Sequence, residues 1–438
     1  MMRKIAFFSA VLGCVVLPLA SQAADRSPMQ REPVEQGWAG AIDGVWSWRV
    51  PDTSNGLHPT QSWHATGSAP DGSIYVAGMD HVTNAALYRI DTKVGTLRYV
   101  GDARSASEAA QNWLPGETAQ KFHTRPLWHR GKIYVATMDR SDLDTGYLNR
   151  RGFHWYAYDP THATLMDLSA SEPGGSAVPH GNLVTLASDP THNVIYGAGV
   201  PTGEIYRYDV ASGRTQDLGR PASYTQPYVY TGRVMWVDAR GRLYFTAFNA
   251  EEPKAHDHVY FYDPETGFGE EKDWLLQDGM ALETGQCTNG GKQCIFADDP
   301  GHVYRFDQDA HSWTYLGQIE TGQKAGWGGV EFWLFDMSPD GSGAYVATST
   351  SPRPSDNTAL YWFDFSSGKT RHICDMADLD PALKNLHVHT GYNAWDDRGS
   401  FYFASFGFAG NSVHDVIVTR VDPSRLEKAL AQSASGPK

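Results

Sequence analysis

The chain has 438 residues, with 36 Lys and Arg against 50 Asp and Glu, a formal net charge of −14 and 41% hydrophobic residues. An acidic balance with no Lys/Arg run excludes nucleic acid as a bulk partner. Past residue 23 no apolar run reaches the about 18 residues that cross a bilayer, so no membrane span is expected there.

The chain opens on a processing segment. Arg3 and Lys4 form a basic n-region, residues 5–19 an apolar h-region, and Ser21-Gln22-Ala23 a small-residue cleavage site. Residues 1–23 read as a signal peptide, which makes 24–438 a secreted (periplasmic or extracellular) chain. Val11-Leu12-Gly13-Cys14 admits a lipoprotein reading, but Val15-Val16-Leu17-Pro18-Leu19 would then leave an apolar stretch behind the lipidated Cys.

From there one phrase recurs: a polar turn, an alternating apolar strand, and a second strand ending in Asp. It reads Ile74-Tyr75-Val76-Ala77 with Leu87-Tyr88-Arg89-Ile90-Asp91, then Ile133-Tyr134-Val135-Ala136 with Trp155-Tyr156-Ala157-Tyr158-Asp159. Further copies centre on Tyr196, Tyr244, the degenerate Ile295, Tyr345 and Tyr402, the last paired with a strand ending in Asp422. A β-alternating repeat with a period of roughly 40–60 residues signals a repeat architecture. Seven copies predict an all-β, seven-bladed β-propeller of four-stranded antiparallel blades, one domain over 24–438. The strands are A to D from the channel outward, and the Tyr and Asp of B and C are expected to pack the blades. Val45-Trp46-Ser47-Trp48-Arg49-Val50 precedes the first A strand and is placed to supply an outer strand to the seventh blade, closing the ring. The seventh A strand is expected near Gly391-Tyr392-Asn393-Ala394-Trp395, and the fifth from about Thr284.

Cysteine is sparse. Cys287 and Cys294 flank a Gly-rich turn and are expected to form a disulfide stapling a hairpin; their spacing is not a zinc motif.

The loops joining D to the next A, and B to C, share one face of a propeller, and here they are the long ones. Aligned on the B-strand Tyr, His64 and His123 fall at one position at the head of strand A, Arg233 occupies it in the fourth blade, and Trp333 lies within one residue of it in the sixth. Upstream in their own blades come His180, Tyr228, Tyr230, His387 and His389, with Tyr224 in the fourth-blade linker and Asp139, Tyr147, Arg150 and Arg151 in the second-blade B–C loop. A channel mouth ringed by His, Tyr and Arg can move protons near neutral pH and bind a carboxylate. The same residues also admit a bland reading, since strand-end imidazoles commonly satisfy buried backbone groups. His387-Val388-His389 puts two imidazoles on one strand face, which leaves a metal ion open without completing a known ligand set. No nucleophile elbow, phosphate-binding Gly loop, His-Glu-x-x-His or full calcium loop is present, which removes those enzyme classes.

Lys121-Phe122-His123-Thr124-Arg125 followed by Gly131-Lys132-Ile133-Tyr134-Val135-Ala136-Thr137 resembles the second blade of seven-bladed polysaccharide lyases, ulvan lyases above all. The resemblance implies β-elimination on a uronic-acid-containing glycan, with no cofactor required, by an A-strand His working with a Tyr and an Arg from later blades. The matching positions are His123, Tyr224 with Tyr228 as its rival, and Arg233. That family carries a second His near the end of the second blade's B strand, where this chain reads Ala136-Thr137-Met138-Asp139; His180 is then the stand-in. His64, Arg151, Tyr228 and Trp333 complete the site as substrate contacts, with Trp128 and Trp327 as rim aromatics for stacking sugars. The expected partner is an acidic polysaccharide and the expected state a monomer. A propeller glycoside hydrolase acting on rhamnose–glucuronate linkages and a non-catalytic glycan- or protein-binding propeller are the alternatives.

Overall fold

The computed structural model describes residues 34–64, 66–138, 150–249, 251–288, 292–323, 330–350, 358–384, 386–389, 394–407 and 415–434. The chain partitions into Met1–Arg31 and Glu32–Lys438, and every described residue belongs to the second unit. The expected signal peptide, Asp139, Tyr147 and Trp327 lie outside the described residues.

Seven antiparallel blades follow one another in sequence order, each pairing A with B, B with C and C with D. Blade 4 shows the unit cleanly: Tyr230–Val237, Leu243–Phe248, His258–Asp263 and Gly267–Leu275. The inner strands are Thr66–Ser68, the split pair Lys121–Phe122 and Leu127–His129, Leu183–Asp189, Tyr230–Val237, Leu282–Cys287, Val330–Met337 and His387–His389. The seventh begins at His387; of the stretch that the spacing predicts, residues 391–393 lie outside the described residues and Trp395 bridges Phe401. No described helix is long and apolar enough to cross a membrane.

The repeat's two signature residues do different jobs. The B-strand tyrosines are buried and pack blade on blade: Tyr75 lies 5.9 Å from Tyr158, Tyr196 6.1 Å from Tyr262, and Tyr244 5.4 Å from Phe306, ring centroid to ring centroid. The C-strand aspartates were expected to pack too, but they lock turns. Asp91 accepts from the N–H groups of Lys93 and Val94, Asp159 from Thr161 and His162, Asp263 from Glu265 and Thr266, and Asp364 from Ser366 and Ser367. A short carboxylate bonding backbone two or three residues on is what makes Asp a turn residue. In the last copy Asp422 accepts from Arg425 instead and so opens the helix Pro423–Ala434.

Ring closure falls where the sequence places it. Val45–Arg49 pairs along its whole length with Ile417–Val421 as strand D of blade 7. Trp48 is 2% exposed, stacks near Tyr402 at 6.2 Å and donates Nε1–H to Gly95 O at 2.9 Å, so it bolts blade 7 to blade 1. Ser47 and Trp38 both donate to the buried carboxylate of Asp380 at 2.8 Å. Trp48→Phe loses the indole bond and some volume, and is expected to destabilise the protein by about 1–2 kcal/mol in denaturant titration.

Cys287 and Cys294 are disulfide-bonded and sit opposite each other on the inner two strands of blade 5.

Candidate active site in the propeller channel

Inner strands crowd together at the axis, and each blade from 1 to 6 breaks its A–B register at the same level. In blade 1 the chain takes five steps from Gln61 to Thr66 against three from Met79 to Val76. Blade 2 repeats this from Phe122 to Leu127 against Thr137 to Tyr134. Blade 4 takes four steps from Thr231 to Met235 against two from Ala247 to Phe245. Blades 3, 5 and 6 insert a single residue, between Leu183 and Thr185, Leu282 and Thr284, and Glu331 and Leu334. A bulge bends its strand and re-aims the extra side chain. The extra residues include His64, His123, Val184, Arg233, Glu283 and Trp333. Beside Arg233, Gly232 permits the close approach of blade 5: a Cβ there would lie 2.4 Å from Thr246 Oγ1 and 2.7 Å from Leu282 O.

These side chains meet. The His64 ring lies 4.9 Å from His123, 4.4 Å from His389 and 5.1 Å from Trp333, centroid to centroid. Trp333 stacks on His389 at 4.7 Å, and the Arg233 guanidinium sits over Trp333 at 4.6 Å. Arg233 Nη1 is 3.1 Å from Glu283 Oε2, and Glu331 Oε2 accepts from Trp333 Nε1 at 2.6 Å. Tyr230 lies close enough to the guanidinium to favour its charged form. Lys121, itself buried, lies 3.2 Å from His81 Nε2 at the head of the same strand as His123.

The backbone assigns tautomers. His123 Nδ1 lies 3.2 Å from Val184 O, which can only accept, so Nδ1 carries the proton and Nε2 the lone pair. His389 is the reverse: its Nδ1 accepts from the His64 N–H at 3.1 Å, so Nε2–H is a donor. Both nitrogens of His64, which is 1% exposed, are buried without a hydrogen-bond partner among the described residues. Burial, then the neighbouring cations and imidazoles, holds His64, His123 and His389 well below the ordinary histidine pKa, so all three are neutral. Across the channel, burial pushes the Glu283 carboxyl up to about 7, Arg233 opposing and the nearby Glu331 and Asp298 reinforcing the rise. Asp299 and Glu331 are raised as well, chiefly by burial. The channel is bipolar, with imidazoles and cations on blades 1, 2, 4 and 7 facing carboxylates on blades 5 and 6.

A metal is poorly served by this tautomer set, because His389 would have to surrender the proton on Nε2 to ligate through it. No group of three or more His, Cys, Asp or Glu among the described residues has metal-holding geometry.

Of the residues predicted from sequence, the structure brings together His64, His123, Arg233 and Trp333, with His389. Tyr224 stays apart: it is 3% exposed, packed edge-on to His256 at 5.2 Å and Tyr260 at 5.1 Å in the blade core. Tyr228 is 42% exposed on the linker surface, and Tyr230 is the linker tyrosine that reaches Arg233. His180 is exposed, its Nδ1 2.6 Å from Arg150 O, which ties it to the second-blade loop. Arg151 is consumed by structure, donating to Asn112 O, Asn112 Oδ1 and Gly174 O and pairing with Glu117 at 3.1 Å. Trp333 is a platform for the guanidinium and His389, leaving its ring to them and not to a sugar. Trp128 lines a cavity of about 570 Å³ at the opposite, A–B end of the channel with Arg125, Trp236 and Gln286. Alignment on the B-strand Tyr does not single out Glu283, Glu331 or Asp299, although a carboxylate inside an apolar inner strand (Leu282-Glu283-Thr284, Val330-Glu331-Phe332) is itself a signal.

No protein-family model matches the chain and no curated protein does. By shape, 1401 chains of solved structures match, and the blade topology places the protein in the broad class of β-propellers. Among them is an oligogalacturonate lyase in complex with manganese, with a TM-score of 0.53 at 10% identity over 90% of this chain and 99% of that one. Another is the oligogalacturonate lyase of Vibrio parahaemolyticus, at 0.51 and 9% identity over 90% and 99%. A third belongs to the mitotic checkpoint complex, at 0.51 and 12% identity over 94% and 99%. At such identities the likeness shows the fold alone, and the three together show how widely function varies on it.

Proposed function

We propose that the protein is a secreted polysaccharide lyase that cleaves a uronic-acid-containing, ulvan-like glycan by β-elimination. The observation that carries the reading is His123, whose Nδ1–H is spent on Val184 O so that Nε2 presents a lone pair beside a buried guanidinium. The two lyases of the same fold support it. In the reaction Nε2 takes the C5 proton of a uronate, the C–H electron pair becomes the C4=C5 double bond, and the C4–O bond breaks with its electrons on the departing oxygen. Arg233 pairs with the uronate carboxylate and makes the C5 hydrogen easier to remove. That bound anion also offsets the positive field of Lys121 and Arg233, which raises the basicity of His123 when it is needed.

The carboxylates of blades 5 and 6 favour a second reading, a glycoside hydrolase working with a carboxylate pair. The two are separated by incubating the protein with ulvan and other uronate polymers. Lysis gives a product absorbing in the ultraviolet through its unsaturated uronate, whereas hydrolysis gives new reducing ends with no such absorbance. Absence of the unsaturated product from every acidic glycan tried rejects the lyase.

A further inference from the structure

We propose that Glu283 is the proton donor to the departing glycosidic oxygen, and that the substrate's own carboxylate arms it by taking its place on Arg233. The proposal rests on the lyase reading and adds to it the acid that reading leaves unassigned.

The argument starts from charge balance. Glu283 and Glu331 are 8% and 1% exposed, and Asp299 is half-buried on the adjoining B–C turn of blade 5. All three act on the single guanidinium of Arg233, which stays a cation. One cation cannot hold three carboxylates ionised in a site shielded from water, so the group shares at least one proton. Asp298, the other neighbour of Glu283, is occupied by His302 at 2.9 Å. Glu331 is committed to Trp333 Nε1. Glu283 is different, because what holds it ionised is the 3.1 Å pairing to Arg233, the group a uronate carboxylate would claim.

Binding therefore exchanges one carboxylate for another. The uronate takes the guanidinium, and Glu283, left among Glu331, Asp298 and Asp299, takes up a proton. The bulge of blade 5 holds it beside Arg233, the cation that also acts on His64, His123 and His389. In the step itself His123 Nε2 gains the C5 proton, the C4–O bond breaks, and the Glu283 proton goes to the departing oxygen, leaving a hydroxyl on the released sugar. The enzyme ends with His123 protonated and Glu283 ionised, and solvent returns the proton. Tyr230, which acts on the same guanidinium, is the rival donor.

The test uses the full-length protein and a uronate oligosaccharide cut from the polymer it degrades. Calorimetry between pH 7 and 8, where Glu283 in the free protein is at least half ionised, in two buffers of different ionisation enthalpy is expected to show proton uptake on binding to the unmodified protein. Glu283→Gln is expected to lose that uptake, to bind the oligosaccharide as tightly or several-fold more tightly, and to turn over at least about 100-fold more slowly, the usual worth of a general acid. Tyr230→Phe, which changes a group acting on Arg233, is expected to keep the uptake and to lose far less turnover than Glu283→Gln. Binding without proton uptake in the unmodified protein overturns the proposal, as does Glu283→Gln turning over near the unmodified rate. Tyr230→Phe taking the large loss instead would name the tyrosine as the acid. Failure of every uronate oligosaccharide to bind removes the lyase reading itself, a result distinct from these.

Discussion

His123→Ala is expected to lower turnover of the acidic glycan by about 10²–10⁴-fold, the range a positioned general base supplies, with little loss of fold. The small structural cost follows from what the side chain does: it fills a bulge and makes one hydrogen bond to Val184 O, and an alanine there leaves the flanking pairings of Lys121–Phe122 and Leu127–His129 with strand B untouched. His123→Gln tests the base more sharply, because an amide can still donate to Val184 O but offers no imidazole lone pair. The pH profile carries its own prediction. Burial, then Lys121 and Arg233, depresses the His123 pKa below its ordinary 6.5. A base with a depressed pKa stays deprotonated further into acid, so the acidic limb of kcat/KM is expected below pH 6.5 and not near it. Tyr224→Phe is the control, since its ring packs on His256 and Tyr260 away from the channel, and turnover near that of the unmodified protein is expected. A large loss for Tyr224→Phe with none for His123→Gln would reverse the assignment.

The blades were legible in the sequence because their packing repeats: a buried Tyr in strand B and a turn-locking Asp after strand C recur with a two-residue alternation between them. The closing strand was legible for the same reason, as an unpartnered alternating segment with Trp48 at its centre. The site was legible only where a chemically distinctive residue broke the repeat at a fixed offset from the Tyr, which is how His64, His123 and Arg233 stand out. His389 escapes that alignment because it stands farther ahead of its B-strand Tyr than they do. Tyr224 lies in a linker containing three tyrosines, and a linker has no period from which to read which ring turns inward. The face that Glu283 takes is hidden by the bulge of blade 5. A register slip of one residue moves a side chain from one face of a strand to the other, and nothing in the spacing of Leu282-Glu283-Thr284 announces that slip.

His154→Gln is expected to unfold at a lower temperature at pH 7 but to match the unmodified protein more nearly at pH 10. His154 is 3% exposed and lies between two carboxylates, Nδ1 3.0 Å from Asp167 Oδ2 and Nε2 3.1 Å from Glu117 Oε1. Burial alone would lower its pKa, but Asp167 and Glu117 win and raise it to about 9. A histidine whose folded pKa lies above its unfolded 6.5 contributes stability fully present below about 6.5 and lost as pH rises through about 9. At about 1.4 kcal/mol per pKa unit that contribution is about 3 kcal/mol, and removing one partner of a buried ionic group costs about 3–5 kcal/mol. With an unfolding entropy of about 2 cal/mol/K per residue, a chain this long shifts its Tm by about 1 °C per kcal/mol, so a fall of about 3–5 °C at pH 7 is expected by calorimetry. Glu117 and Asp167 have folded pKa values below their ordinary ones, with His154 their chief attractive partner, so their share is lost on the acid side instead, as pH falls through those lowered values. The network reaches the channel through the backbone. Glu117 also pairs with Arg151, which clamps Asn112 and Gly174, and the segment so held runs directly into Lys121–Phe122 and the His123 bulge. His154→Gln is therefore expected to raise KM at pH 7 as well as lower Tm, because the loop that delivers the base loses its anchor. An unchanged Tm at pH 7 would mean that the two carboxylates are held by Arg151, Asn112 and Ser107 without the imidazolium.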